Sequence, residues 1–350
     1  MPSSLRVALI GYGLAGRTFH APLIRATDGL ALAAVVSSDA AKVHADLPDV
    51  AVVSDLADAL ADETVDLVVI ATPDHLHADH AIAALDAGKH VVIDKPFAPH
   101  LEDARRVAAR AAASDRTLAI FQNRRWDADF LTLKRLIREG TLGDIVQLES
   151  HFDRYRPEIR RGWKGERDGG LWQDLGPHLI DQALDLFGMP HAVFADLAAQ
   201  RQGGVAPDYA HVLLRYPTLR VILHASQSTH EGSLRFAVHG TKGSFNKYGL
   251  DPQEAQAGSG LTPDDADWGL DSSPGTLTAI DGSGQAQVTP VESERGNYPA
   301  FYEAVRDAIW ARGANPVTPE QALSVMTVLD AGIRSAKERR EIAIEPQPVD

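Results

Sequence analysis

Cysteine is missing from this chain of 350 residues. Disulfide frameworks go with it, and so does any thiolate site for zinc, iron–sulfur or redox chemistry. Positive charge is scarce as well: 34 lysines and arginines face 48 acids, for a net charge of −14. A surface of that sign repels phosphate backbones, so nucleic acid is not an expected partner. No uncharged apolar run approaches the ~18 residues that span a bilayer. The opening MPSSLRVALIGYG has one basic residue and a short apolar stretch before its glycines, unlike a secretory leader. The expectation is a cytoplasmic protein with no membrane partner. Aromatics make up only 6% of the chain, but 44% of its residues are hydrophobic, enough for two domains with aliphatic cores.

LRVALI, residues 5 to 10, is a branched apolar run suited to a buried strand, and GYGLAG follows at once. Gly11, Gly13 and Gly16 have the G-x-G-x-x-G spacing of a dinucleotide-binding turn. Gly11 permits the tight turn, Gly13 and its neighbour Leu14 face a pyrophosphate, and Gly16 lets the next helix lie close to the sheet. Further apolar runs at 30–38, 65–73, 90–96 and 117–123 alternate with alanine-rich helical stretches. Such β-α alternation predicts a parallel sheet covered by helices, with ligands at the carboxyl ends of its strands. Those ends carry Ser37, Ser38, Thr72, Pro73, Asp94, Lys95 and Gln122. An NAD site usually places a carboxylate about 20 residues past the glycines. Here Ser37 and Ser38 stand at that point, with Lys42 shortly after, a set suited to a 2′-phosphate and hence to NADP. Asp39 keeps NAD open as the alternative.

Two short stretches carry candidate chemistry. DKP places Lys95 at a strand end. In GGLWQDLGPHLIDQAL, residues 169 to 184, Gly176 and Pro177 resemble the start of a helix, which puts His178 in its first turn and Asp174 just before it. The positive field of a helix start opposes protonating a nearby imidazole and leaves it able to accept a proton. A lysine, an aspartate and a histidine meeting near a nicotinamide suit the oxidation of a secondary alcohol.

GYGLAG, ATPDHLH, DKPF and GGLWQDLGPH, in this order, resemble the family of glucose-fructose oxidoreductase, inositol dehydrogenase and rhizopine-catabolism proteins (Gfo/Idh/MocA) across essentially the whole chain. TFHAPLI, QNRRWDADFLTLKRLI and FAVHGTKGSFNKYGLDPQE are similar to the branch that contains NADP-dependent scyllo-inositol dehydrogenases. The resemblance implies an α/β chain: an N-terminal Rossmann domain with a doubly wound parallel sheet, then an α+β domain built on a large, mostly antiparallel open sheet. The expected division is 1–123 and 124–350. The resemblance also implies Lys95, Asp174 and His178 as the catalytic set, His75 and His77 as cofactor contacts, a polyol or sugar substrate, and a homodimer or homotetramer. The family usually has Glu-Lys-Pro where this chain has Asp94-Lys95-Pro96, which leaves the contact of the shorter acid open. Two other functions stay in view: a sugar-sugar oxidoreductase or glycosidase that retains NAD, and a dinucleotide-sensing regulator without catalysis.

His75, His77 and His80 are close enough in sequence to raise a metal, but they follow a Thr-Pro at a strand end where the family places a cofactor turn; no metal is expected. NRRWDADF, residues 123 to 130, reads as an interdomain link. HFDRYRPEIRRGWKGERDGG, residues 151 to 170, reads as a substrate-side loop, with Arg154, Tyr155 and Trp163 as candidates to bind hydroxyls or stack on a ring. Thr318 and Gln321 have the spacing of a helix capping box.

Overall fold

In a computed structural model of the chain, residues 4–159, 170–230, 232–280 and 283–345 are described. They form two compact units. The first contains the chain up to Trp126, Gln253–Gly269 and Asn297–Leu323; the second contains Asp127–Pro252, Leu270–Gly296 and the chain from Ser324 on. Two segments that the sequence reading places beyond 123 therefore pack with the first unit. Among the described residues, no helix is long and apolar enough to cross a membrane.

The first unit is built on β1 (Leu5–Ile10), β2 (Leu30–Val36), β3 (Ala51–Val53), β4 (Leu67–Ile70), β5 (His90–Asp94) and β6 (Leu118–Phe121). All pair in parallel, in the order β3-β2-β1-β4-β5-β6. A parallel sheet needs cover on both faces. Accordingly β4 is buried throughout and β1 everywhere but Arg6. The covering helices include α1 (Ala21–Ala26), entered through a π-helical turn at Gly16–His20, then α2 (Ala40–Asp46), α3 (Leu56–Ala61), α4 (His77–Asp86) and α5 (Leu101–Ala112). Strand order reverses direction between β1 and β4, and ligands of such sheets gather there, at the carboxyl ends.

The second unit contains α6 (Ala128–Arg138), β7 (Ile145–Asp153), α7 (Gly170–Phe187), β8 (Ala192–Ala198), β9 (Tyr209–Arg215), β10 (Arg220–Ser226), β11 (Leu234–Gly240), β12 (Gly243–Tyr248), β13 (Gly275–Ile280), β14 (Ala286–Val291) and β15 (Ile342–Ala343). Its nine strands run in the order β14-β13-β12-β11-β7-β10-β9-β8-β15. All pairs are antiparallel except β7 with β10. Side chains alternate across such strands. Leu148, Ser150 and Phe152 of β7 are buried on the side of α7, which packs on β7, β9 and β10. Gln147, Glu149 and His151 face the other way, half-buried.

Residues 251–290 divide between the two units. Its first part forms α8 (Gln253–Gly258) in the first unit, and the remainder supplies β13 and part of β14 to the second. The capping box at Thr318 opens the helix Pro319–Glu338: the Thr318 N–H donates to Gln321 Oε1 at 3.2 Å, and the Gln321 N–H donates to Thr318 Oγ1 at 3.3 Å.

His90 opens β5, and its Nδ1 accepts the Thr117 N–H at 3.0 Å. Burial, helped by the charge of Arg116, pushes its pKa down to about 4. An unfolded chain protonates this ring near pH 6.5, so acid favours the unfolded state first. Stability supplied by the neutral ring is complete above about pH 6.5 and declines toward pH 4. Urea unfolding across that window is expected to show a falling midpoint in the wild type and a flatter profile in His90→Asn. Parallel profiles would contradict the assignment.

Candidate active site

Gly11 has a φ of +97°, and a β-carbon on it would stand 2.8 Å from the Ala71 carbonyl oxygen and 3.2 Å from the Thr72 nitrogen. Only glycine meets both demands. A β-carbon on Gly16 would collide with the carbonyl of Gly11, so the first turn of helix lies directly on the glycine loop. Gly13 differs, because a β-carbon there meets no atom within 4 Å. Leu14 beside it is 78% exposed. This is a cradle shaped for a pyrophosphate: close where the backbone must turn, open where the ligand must approach.

At the end of β2, Asp39 caps α2 by accepting the Lys42 N–H at 2.9 Å, and Ser37 Oγ accepts the Asp39 N–H at 3.1 Å. Asp39, the carboxylate at the expected ribose position, thus uses one oxygen to cap its own helix. Lys42 extends its ammonium to the Tyr12 carbonyl in the glycine loop, at 2.9 Å. Tyr12 in turn donates to Asp46 at 3.2 Å, and Arg17 grips both oxygens of Asp46 at 2.7 and 2.9 Å. Burial, then Asp46, pushes the Tyr12 phenol up to about 12. These residues line one side of a cleft of about 850 Å³ that Leu261 and Thr262 line as well. Arg17 and Tyr12 went unnoticed in the sequence, although both lie within or beside the glycine motif.

Along the other strand ends, Thr72 is half-buried, Pro73 and His75 are exposed, and a 3-10 turn spans Asp74–Leu76. His77 is buried, with Nδ1 2.9 Å from the Pro96 carbonyl oxygen and Nε2 2.9 Å from that of Thr72. It ties the ends of β4 and β5 together, so this histidine shapes the site by holding backbone. Asp94 turns inward: its Oδ1 accepts the Lys95 N–H at 2.8 Å and lies 3.6 Å from Nε2 of the fully buried His20. The other nitrogen of His20 lies 2.6 Å from the Tyr302 hydroxyl. Burial works against charge on Asp94, but His20 and then Lys95 outweigh it and hold the carboxyl below its usual range. The shorter acid thus meets a histidine from the first helix, and Lys95 follows it half-buried at the strand end. Gln122 is buried at the end of β6, and among the described residues no hydrogen bond reaches its Oε1. An orphaned buried acceptor beside the strand ends suits an amide N–H donor such as a carboxamide. With the glycine cradle, it makes the residues present a fit for a nicotinamide dinucleotide.

In the second unit, Asp174 and His178 both lie on α7, which begins at Gly170 and carries Pro177 inside it. His178 therefore does not occupy the first turn, and the helix-start field expected to act on it is not the relevant influence. The cause is packing. A β-carbon on Gly176 would stand 2.9 Å from the Trp172 ring and 3.0 Å from Leu329. Glycine before a proline also relieves the clash that otherwise expels that residue from helix. Gly-Pro here lets one helix continue past a buried indole, whose N–H donates to the Leu329 carbonyl at 3.2 Å. What survives is the spacing. Residues four apart share a helix face, so Asp174, His178 and Gln182 form one row, with His178 buried and Asp174 half-buried.

That row is fixed by Arg235, a residue without any local sequence signal. Its buried guanidinium donates to Gln182 Oε1 at 2.7 Å, Ser150 Oγ at 2.8 Å and Asp129 Oδ2 at 3.0 Å, joining α7, β7 and α6. Phe152 stacks toward His178 with ring centroids 6.5 Å apart, and the Arg154 guanidinium lies 5.4 Å from the same phenyl ring. Tyr155 is exposed and stacks on His230 at 4.0 Å. Trp163 lies outside the described residues.

Family models match both halves: "Oxidoreductase family, NAD-binding Rossmann fold" over residues 5–122 and "Oxidoreductase family, C-terminal alpha/beta domain" over residues 134–344. The chain belongs to the Gfo/Idh/MocA oxidoreductases. Within that family it is 49% identical to an uncharacterised oxidoreductase of Escherichia coli over 98% of this chain and 100% of the relative. It is 39% identical to the scyllo-inositol 2-dehydrogenase (NADP(+)) of Bacillus subtilis, over 98% of this chain and 96% of that one. A putative oxidoreductase of Yersinia pestis has a solved structure that superposes with a TM-score of 0.96 at 47% identity, covering 99% of each chain. As a Gfo/Idh/MocA member the protein is an oxidoreductase with a nicotinamide-binding Rossmann unit.

Removing one partner of a buried ion pair leaves the other charge stranded, at a cost of about 3–5 kcal/mol, whereas replacing both is far milder. Arg235→Met is therefore expected to lower unfolding stability by about that amount, and Arg235→Met with Asp129→Leu to recover much of it. Equal stability of the single and double variants in chemical denaturation would contradict the anchoring role.

Proposed function

We propose that this oxidoreductase is an NADP(H)-dependent dehydrogenase acting on a secondary alcohol of a cyclic polyol or sugar, with scyllo-inositol and the corresponding inosose as the leading pair. The observation that carries the reading is the row of Asp174 and His178 on one anchored face of α7, in a chain that also presents Lys95 at a strand end of its nucleotide unit. The full-length similarity to an NADP-dependent scyllo-inositol dehydrogenase supports the substrate class.

When bound, the nicotinamide accepts or returns a hydride. The glycine turn and Gln122 hold the dinucleotide. Ser37, Ser38 and Lys42 receive the 2′-phosphate, while Asp39 serves as the cap of α2. In the oxidative direction His178 accepts the proton of the reacting hydroxyl, and Lys95 donates a hydrogen bond to that oxygen. Asp174 accepts a hydrogen bond from a neighbouring hydroxyl and so orients the ring. Loss of the carbinol hydrogen as hydride then leaves a ketone, and the reverse sequence returns the alcohol. General acid–base catalysis by a placed side chain contributes about 10²–10⁴-fold.

Inositols and aldoses assayed with NADP and NAD separately test this reading. Net NADPH formation with a cyclic polyol is expected, with turnover falling about 10²–10⁴-fold in His178→Ala and Lys95→Ala while NADP binding persists. A charge-assisted hydrogen bond is worth about 1.5–3 kcal/mol, so Lys42→Ala is expected to weaken NADP about tenfold or more and leave NAD unaffected. Equal rates with NAD would overturn the cofactor assignment. Bound NAD that survives purification, with no net reduction, would point to a redox-neutral sugar enzyme. Tight dinucleotide binding with no reaction on any polyol would point to a regulator.

A further inference from the structure

We propose that His151, Asp153 and His224 form a binding site for one divalent transition ion of the zinc class, on the face of the nine-stranded sheet turned away from α7. The inference is independent of the redox reading.

Parallel pairing of β7 with β10 sets His224 directly opposite His151, and Asp153 follows two residues on, on the same face. Asp153 Oδ2 lies 3.6 Å from His151 Nδ1, and Asp153 Oδ1 lies 3.5 Å from His224 Nε2. One ligand atom from each of the three residues lies within 4.8 Å of the other two. Zinc binds nitrogen and oxygen at about 2.0–2.2 Å in a tetrahedral array, which places its ligands roughly 3.3–3.5 Å apart. Each histidine nitrogen already stands near that spacing from an oxygen of Asp153.

Three further features distinguish the cluster from an ordinary surface group. Asp153 is buried, with a side chain only 3% exposed, yet among the described residues no hydrogen bond reaches its Oδ1. A buried carboxylate oxygen without a donor is costly unless a cation takes it. Next, Glu149 Oε2 lies 3.4 Å from His151 Nε2, and its other oxygen accepts the Gln147 amide at 2.8 Å. A carboxylate fixed in this way accepts a hydrogen bond from the Nε2–H tautomer and leaves the Nδ1 lone pair on the side of Asp153, as second-layer acids do behind metal-bound histidines. Finally, Glu149 and Asp153 together supply two negative charges to offset a dication. Two imidazoles and a carboxylate favour zinc-like ions over calcium or magnesium, which prefer oxygen. The ion clips β7 to β10 immediately before Arg154.

This departs from the sequence expectation of no metal. That expectation weighed histidines that are neighbours in the chain, whereas His151 and His224 are brought together by strand register.

Tag-free protein is stripped with chelator, then titrated with Zn²⁺ by calorimetry and analysed for bound metal. One zinc per chain is expected, with uptake lost in Asp153→Asn/His224→Gln and weakened about 10–100-fold in Glu149→Gln. Co²⁺ in the wild-type protein is expected to show the intense visible bands of a four- or five-coordinate site. The proposal is overturned by substoichiometric uptake, by equal uptake in wild type and double variant, or by a hexaaquo-like cobalt spectrum. Because the cobalt spectrum is read on the wild-type chain, it decides the matter even where a variant fails to fold.

Discussion

The carbonyl of Gly11 occupies the space where any side chain at residue 16 would begin, and a β-carbon on Gly11 would press on the Ala71 carbonyl. Strand β1, the glycine loop and the first helical turn are therefore locked together with no tolerance for a methyl group. Much else in the nucleotide unit depends on this contact. It fixes the Tyr12 carbonyl to which Lys42 reaches, and through the following helix it places Arg17 against Asp46 and His20 against Asp94. Charged groups from three separate helices and strands thus take their positions from one backbone approach.

The second unit solves a different problem. The proposed catalytic pair, Asp174 and His178, lies on one face of α7, and a helix can rotate or slide unless something specific stops it. Trp172 does so on one side, its ring packed against Gly176 and Gly332. Arg235 does so on the other, through Gln182 one turn beyond His178. Buried polar anchors of this kind define geometry more than they add net stability.

What could be read in the sequence was whatever is encoded locally. The glycine spacing, the β-α alternation and the capping box at Thr318 each rest on neighbours in the chain, and each appears in the fold. Asp39 was ambiguous because a ribose-binding acid and an N-cap acid can differ by a single residue of register, and only the Lys42 N–H contact separates them. Gly176-Pro177 looked like a helix start because local rules favour it, but a tertiary demand, room for the Trp172 ring, prevailed. Arg235, the His20–Tyr302 contact across 282 residues and the His151–His224 pairing leave no local trace; they exist only once strands have found their register.

The central chemical claim is that a carbon-bound hydrogen passes directly between the polyol ring and the nicotinamide in this site. Reduction of an inosose with NADPH deuterated at the transferable position tests it most directly. The account predicts one deuterium on the new carbinol carbon of the product and none exchanged with water. Product without deuterium, or label recovered in solvent, would contradict it.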